Sequence, residues 1–316
     1  MLKKLVAAVA AAVGLAAATA VPAEAQDLAS LIESPNVNKC SEEFLITIPG
    51  GGNTASFLPE KAPVGPKVTE VATSVHRATR GKVQPVWITY AARPFTLFSY
   101  NESSNKGYWE ASRTMRRLAR MCPKATFSIT GYSEGADIGA QLVNNIGHGR
   151  GPVPAKKVNS AVLISNPHLA DNGGAFAAGA TREDRGALEE LKGGYGELGP
   201  RVLDVCRKDD PICSLPAEWR SHVNPFLRMA ALRGQVPMTE FASIVAKQSP
   251  TTLPLVLSVY NHGQYGGRML GEGAQWIISR KAPIREDRPQ PRAEQPSQEQ
   301  PPAPGHGAQP APLPAR

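Results

Sequence analysis

Gly131-Tyr132-Ser133-Glu134-Gly135 sets a serine between two glycines. Residues 125–130 before it are β-branched and aromatic enough to read as a strand, and residues 136–143 after it read as a helix. A strand that turns directly into a helix around G-x-S-x-G holds its serine in a strained conformation with the hydroxyl exposed. Both glycines have a steric task, because a side chain at either position would collide with the crossing helix and strand. The bare pattern is weakly specific; its place between strand and helix singles it out. A serine hydroxyl barely ionises near neutrality, so Ser133 needs a histidine to take its proton and an acid to orient that histidine. The chemistry of such a trio is nucleophilic attack on an acyl carbonyl through a covalent acyl-enzyme.

Strand, elbow and helix in succession are the nucleophile elbow of an α/β-hydrolase, where the chain order is Ser, then Asp or Glu, then His. Downstream of Ser133 lie His148, His168, His222 and His262, with His306 near the end of the chain. His148 follows the elbow helix in a Gly-rich turn and reads as surface. His168 follows a strand but precedes every favoured acid. His222 and His262 stand in the right order. Asp210 is the best-placed acid, in the loop Cys206-Arg207-Lys208-Asp209-Asp210-Pro211-Ile212-Cys213 that the two cysteines could tie off. A loop held this way would fix a carboxylate at the carboxyl edge of a sheet, where such sites assemble. Asp209 is its rival, and the bland alternative is that both merely solvate a turn before proline.

The elements that must position these residues alternate. Strands are expected at 44–48, 83–90, 158–165, 201–205 and 255–259, besides the elbow strand. Helices are expected at 67–80, where Val68, Val71 and Val75 have helical spacing, at 108–121 and at 273–279. Residues 166–200, rich in Gly and Ala, read as a long loop. This order predicts an α/β fold: a central, mostly parallel sheet covered by helices on both faces.

The two ends read differently from the middle. Residues 1–25 have a basic start, an apolar Ala/Val/Leu run and small residues in Ala23-Glu24-Ala25, the pattern of a secretory signal peptide. Residues 285–316 hold nine prolines among Gln, Ala and charge, and read as a disordered Pro-rich tail. One α/β domain is expected over 26–284. The net charge of +8 is spread out, with a denser cluster at Arg113, Arg116, Arg117 and Arg120. On a helix these fall near one face: a solvated basic face, or a peripheral contact with envelope lipid or wall polymer. There is no nucleic-acid motif. Four cysteines in an exported chain point to two disulfides, and no C-x-x-C or H-x-x-x-H spacing suggests a metal. No cofactor is required.

Gly131-Tyr132-Ser133-Glu134-Gly135-Ala136 is similar to the G-Y-S-Q-G-A elbow of cutinases, and Cys206…Asp210…Cys213 matches their C-x-x-x-D-x-x-C loop. Within that family the chain resembles the cutinase-like serine esterases and lipases of actinobacteria with mycolic-acid envelopes, over about residues 40–283. The stretch Ile146-Gly147-His148-Gly149-Arg150-Gly151-Pro152-Val153, the Pro-rich tail and the H-x-x-Y of His262-Gly263-Gln264-Tyr265 carry this closer likeness. The resemblance implies disulfides Cys40–Cys122 and Cys206–Cys213, a nucleophile Ser133, an acid Asp210 and a base His262. His222, at a spacing nearer that of short fungal cutinases, stays as the rival base. It also implies an oxyanion hole built from the backbone N–H groups of Glu134 and Gly51. Relatives carry Ser or Thr where Gly51 stands, so the assisting hydroxyl is lost unless Asn53 or Thr54 replaces it. The implied activity is hydrolysis of esters or thioesters of medium to long acyl chains, with envelope lipids or phospholipids as candidate substrates. Acyl transfer to an envelope alcohol and a non-catalytic lipid- or wall-binding module are the alternatives.

Overall fold

Side chains along a strand alternate between its two faces, and here each face has its own hydrophobic layer. Phe44, Ile46 and Ile48 point into one layer and Leu45 into the other; Ala161 and Leu163 oppose Val162 and Ile164 in the same way. The computed structural model describes residues 39–58, 63–92, 100–188, 190–217, 219–220 and 260–280. The expected signal peptide (1–25), the Pro-rich tail (285–316), the strand at 255–259 and His222 lie outside these residues. The chain divides into a unit ending at Lys281 and another from Ala282 to Arg316, and every described residue belongs to the first.

The strands are β1 (Glu43–Ile48), β2 (Val83–Trp87), β3 (Thr126–Tyr132), β4 (Val158–Ile164), β5 (Ala175–Ala177) and β6 (Val202–Val205). They form one sheet in the order β2-β1-β3-β4-β6-β5, and every pairing is parallel. The helices are α1 (Pro66–Ala78), α2 (Tyr100–Met121), α3 (Glu134–Gly147) and α4 (Arg268–Ser279). Helices α2 and α3 cover one face with Met115, Leu118, Ile138 and Leu142, and α1 and α4 the other with Val71, Val75, Leu270 and Ile277. A parallel sheet buried on both sides, with the connection from β3 to α3 turning at a serine, is the α/β-hydrolase architecture.

Three elements differ most from the sequence expectation, one being α4, which begins at Arg268 and not at 273. Helix α2 begins at Tyr100, not at 108. Asn101-Glu102-Ser103-Ser104-Asn105-Lys106-Gly107 is poor in strong helix formers, but Ser103, Ser104 and Gly107 are buried. A Cβ on Gly107 would lie 2.4 Å from Ile138 Cδ1, so the glycine permits close approach of α2 to α3. Packing overrides propensity there. Strand β5 lies inside the segment read as loop; three residues are too few to show a period. The arginine cluster behaves as a helix face: Arg113, Arg116 and Arg120 are exposed, with Arg113 paired to Glu110.

The elbow is as tight as its glycines suggest. Ser133 has φ 56° and ψ −120°, left-handed for a residue with a side chain, and its N–H extends the ladder to the Ile164 carbonyl at 3.0 Å. A Cβ on Gly131 would stand 2.1 Å from the Gly135 carbonyl oxygen, and one on Gly135 would stand 2.1 Å from that of Ile48. Backbone on both sides leaves no room to yield. Two disulfides frame the domain: Cys40–Cys122 ties the segment before β1 to the end of α2, and Cys206–Cys213 closes the loop after β6.

Gly135→Ala should therefore cost about 3 kcal/mol or more in urea unfolding. Gly271→Ala, in α4 with nothing within 4 Å of the added methyl, should stabilise by about 0.5–1 kcal/mol. A Gly135→Ala protein as stable as the parent would contradict the elbow geometry. The cystines should also differ, because chain entropy assigns about 4.5 kcal/mol to the 82-residue link and about 2.4 to the 7-residue link. Thermal melts of the two double Cys→Ala variants should show the larger loss for Cys40/Cys122; the reverse order would overturn that reasoning.

Candidate active site

Parallel strands bring their carboxyl ends to one edge, and four loops there carry the polar groups. Ser133 follows β3, Ser165 follows β4, Asp210 follows β6, and Pro49-Gly50-Gly51-Gly52 follows β1. The fifth contributor is the segment before α4, which carries His262 and Tyr265. That segment is anchored from α1: Lys67 Nζ donates to the Tyr265 carbonyl, and Glu70 Oε1 accepts from the Gly267 N–H at 3.0 Å.

The structure brings three of the expected residues into line. His262 Nε2 lies 2.9 Å from Ser133 Oγ, and His262 Nδ1 lies 3.1 and 3.2 Å from the two oxygens of Asp210. A carboxylate can only accept, so the proton must sit on Nδ1, leaving the Nε2 lone pair toward the serine. Asp210 is fully buried. Its Oδ2 accepts from Ser165 Oγ at 2.5 Å and Tyr265 Oη at 2.7 Å, and its Oδ1 accepts from the Ile212 N–H at 3.0 Å. Burial alone would raise its pKa, but the hydrogen bonds from His262, Ser165 and Tyr265 and the charge of His262 outweigh this and hold it below the ordinary value. Asp209 is turned away, its carboxylate held on Arg207 at 2.7 and 2.8 Å and half exposed.

The imidazole is fixed from its other faces too. Tyr132, beside the serine, stacks on it at 5.2 Å with 19° between planes, and its hydroxyl donates to the His262 carbonyl at 2.6 Å. Burial raises the pKa of this phenol, with the Asp210 charge adding to the shift. Ser165 reaches both partners, donating to Asp210 while its oxygen lies 2.9 Å from His262 Nδ1. It holds a positive φ of 53°, as Ser133 one strand over holds 56°. Sequence reading missed the parts played by Ser165 and Tyr132. Tyr265 was visible in H-x-x-Y but had no assigned contact. Nothing in the sequence around Ser165 marks it.

The expected oxyanion residues lie at the same edge. The Glu134 N–H is the first amide of α3, one of the four a helix leaves without an intrahelical acceptor. The β1 loop abuts the serine, since a Cβ on Gly50 would meet Ser133 Cβ at 3.4 Å and the Tyr132 carbonyl at 2.9 Å. The Gly52 N–H bonds to the Ala92 carbonyl at 2.5 Å, and Asn53 Nδ2 to that of Gly51 at 2.9 Å, so the Asn53 side chain braces the loop. Thr54 Oγ1 is buried without a hydrogen-bond partner among the described residues. His168 sits elsewhere, paired through Nε2 with Asp137 Oδ1 at 2.9 Å. His148 bonds by Nδ1 to the Asn144 carbonyl at 2.8 Å. Among the described residues, no group of three or more His, Cys, Asp or Glu could hold a metal ion, and no helix is long and apolar enough to cross a membrane.

Comparison with known proteins follows the same lines. The chain is 28% identical over 157 residues to a carboxylesterase Culp6 homolog of Corynebacterium glutamicum, which covers 43% of this chain and 50% of that protein. The chain thus spans about half the length of the curated relative it matches. Similar solved structures include the catalytic core domain of acetyl xylan esterase from Trichoderma reesei, at 18% identity and TM-score 0.46, covering 70% of this chain and 99% of the other. Lysin B from Mycobacteriophage D29 is similar at 19% identity and TM-score 0.46, covering 76% of this chain and 87% of the other. Residues 40–232 match the Cutinase family, a stretch that takes in the elbow and both cystines and stops short of His262. A match over more than half of its length makes the chain a member of the cutinase family.

Proposed function

We propose that the protein is an exported serine carboxylesterase acting through Ser133, His262 and Asp210 on acyl esters of medium to long chain. The observation that carries this reading is the unbroken line from Asp210 through His262 Nδ1 and Nε2 to Ser133 Oγ, with contacts of 3.1 and 2.9 Å. His262 takes the hydroxyl proton as Ser133 Oγ bonds to the carbonyl carbon, and the developing oxyanion is held by the N–H groups of Glu134 and Gly51. As the tetrahedral intermediate collapses, the C–O bond to the leaving alcohol breaks and His262 returns the proton to that oxygen. Water, deprotonated by the same imidazole, then attacks the acyl-enzyme and releases the acid. Asp210 keeps the imidazole in one tautomer and stabilises its cation throughout.

Export is supported by the leader-like residues 1–25 and by two cystines, which persist in oxidising compartments. A lipid acyl chain is supported by two solvent-facing aromatics that flank the site's loops in sequence. Phe57, just past the β1 loop, is 82% exposed, and Tyr260, two residues before His262, is 73% exposed. Large apolar side chains exposed beside such loops suit an apolar ligand. Nothing among the described residues favours an alcohol over water as acyl acceptor.

A fluorophosphonate probe should label the folded protein on Ser133 alone, as read by peptide mapping, and Ser133→Ala should abolish both labelling and turnover. His262→Ala should lower kcat by about a thousandfold or more, since such groups act as a unit, whereas Asp209→Ala should change it less than about threefold. Label on another serine, or none on folded protein, would sink the hydrolase reading. A collapse in the Asp209 variant would reassign the acid.

A further inference from the structure

The residue after the nucleophile carries a carboxyl group that the proposed chemistry does not use. Glu134 is 2% exposed, and neither of its side-chain oxygens has a hydrogen-bond partner among the described residues. Among the described residues, the groups that face it come from three elements. They are Tyr90 from the segment after β2, Tyr100 and Ser103 from α2, and Asp137 one turn further along α3. Asp137 is itself an ion held by His168, Gln141 and Ser104, at 2.9, 2.6 and 2.8 Å. No cation faces Glu134 directly among these groups.

Donor accounting decides its protonation state. The Tyr90 hydroxyl donates to the Pro49 carbonyl at 2.8 Å, and the Ser103 hydroxyl donates to the Ala91 carbonyl at 3.0 Å. Each hydroxyl has one proton, both are committed, and the third hydroxyl, Tyr100, bonds to Asp137. An ionised Glu134 would be a buried acceptor with no hydrogen bond to accept among the described residues, beside a second carboxylate. A protonated Glu134 carries a donor, and either hydroxyl oxygen still has a lone pair to receive it.

We propose that Glu134 is a positioning residue held as a neutral acid, whose O–H to Tyr90 braces the Tyr90–Pro49 strut beneath the Gly50-Gly51 loop. Pro49 leads directly into that loop, so the strut links the first turn of α3 to the other half of the proposed oxyanion hole. Ionisation would remove the donor and set a negative charge on the residue whose N–H is meant to stabilise an oxyanion. Burial, with the Asp137 charge adding to it, outweighs the lowering pull of the nearby Ser103 and Tyr90 hydroxyls and raises the pKa of Glu134 from its ordinary 4.5 to about 8. The loss therefore falls in the mildly alkaline range. Tyr90 and Tyr100 do not titrate there, because burial lifts both well above 10. The effect on rate rests on the esterase reading; the protonation state does not.

Three measurements on wild type and Glu134→Gln, full chain with disulfides intact, separate these. In infrared difference spectra at pH about 6, wild type minus variant should show the carbonyl band of a protonated carboxyl, and it should vanish by pH about 10. The difference is needed because Asp204, also buried, is raised to about 7. The folded state keeps a proton that the unfolded chain releases, so stability is lost as pH rises from about 5 to about 8. The melting temperature of wild type should fall relative to Glu134→Gln across that window and then run parallel. In an ester assay, wild-type kcat/KM should drop about tenfold per pH unit above about 8, and the variant's should not. A missing infrared band overturns the proposal whether or not the protein hydrolyses esters. A band that is present, with the same alkaline limb in both proteins, overturns the link to the oxyanion loop.

Discussion

A carboxylate shut away from water must find its donors inside the protein, and much of this fold's carboxyl edge is arranged around supplying them to Asp210. Ser165 comes from the end of β4, Tyr265 and His262 from the segment before α4, and the Ile212 N–H from the cystine-closed loop itself. Leaving such a group unpaired costs about 1–3 kcal/mol per missing bond, more for a charge. The carboxylate thus pulls three loops from distant parts of the chain into one register. The same bonds fix the imidazole tautomer, which turns a stability requirement into a directional one: the free lone pair of His262 can face only Ser133.

The sheet supplies the other half of the constraint. Parallel pairing brings the ends of β1, β3, β4 and β6 level, so loops far apart in sequence start from adjacent points. Ser133 and Ser165 end neighbouring strands with positive φ, each with its N–H bonded onto the next strand's carbonyl. One hydroxyl is thereby aimed outward at the face where substrate would arrive, and the other lies beneath, against the acid. Strain at both positions is sustained because each N–H is locked onto the neighbouring strand, and at Ser133 the helix that follows holds the other side.

Which of this could be read from residues alone follows from what each feature depends on. The elbow was legible because its signal is local: two glycines forced by backbone contacts of 2.1 Å, between a strand and a helix. The cystine loop around Asp210 was legible through spacing. The start of α2 was not, since Ser103, Ser104 and Gly107 become helical through burial against α3, a fact absent from their own propensities. Ser165 and Tyr132 were opaque for a related reason. Their partners lie 45 and 130 residues away in sequence, and an ordinary serine or tyrosine carries no mark of a contact at that range. Glu134 was seen only as a backbone donor; that its side chain is buried beside Tyr90 and Asp137 needed the packing of α2 on α3.

The central claim is that buried, ionised Asp210 holds His262 with its proton on Nδ1 and its lone pair toward Ser133. Proton NMR on protein labelled with 15N-histidine tests it most directly. The account predicts a far-downfield proton bonded to His262 Nδ1 at neutral pH, lost or strongly shifted in Asp210→Asn, with Nε2 unprotonated. A His262 protonated on Nε2, or an Nδ1 signal that Asp210→Asn leaves unchanged, would contradict it.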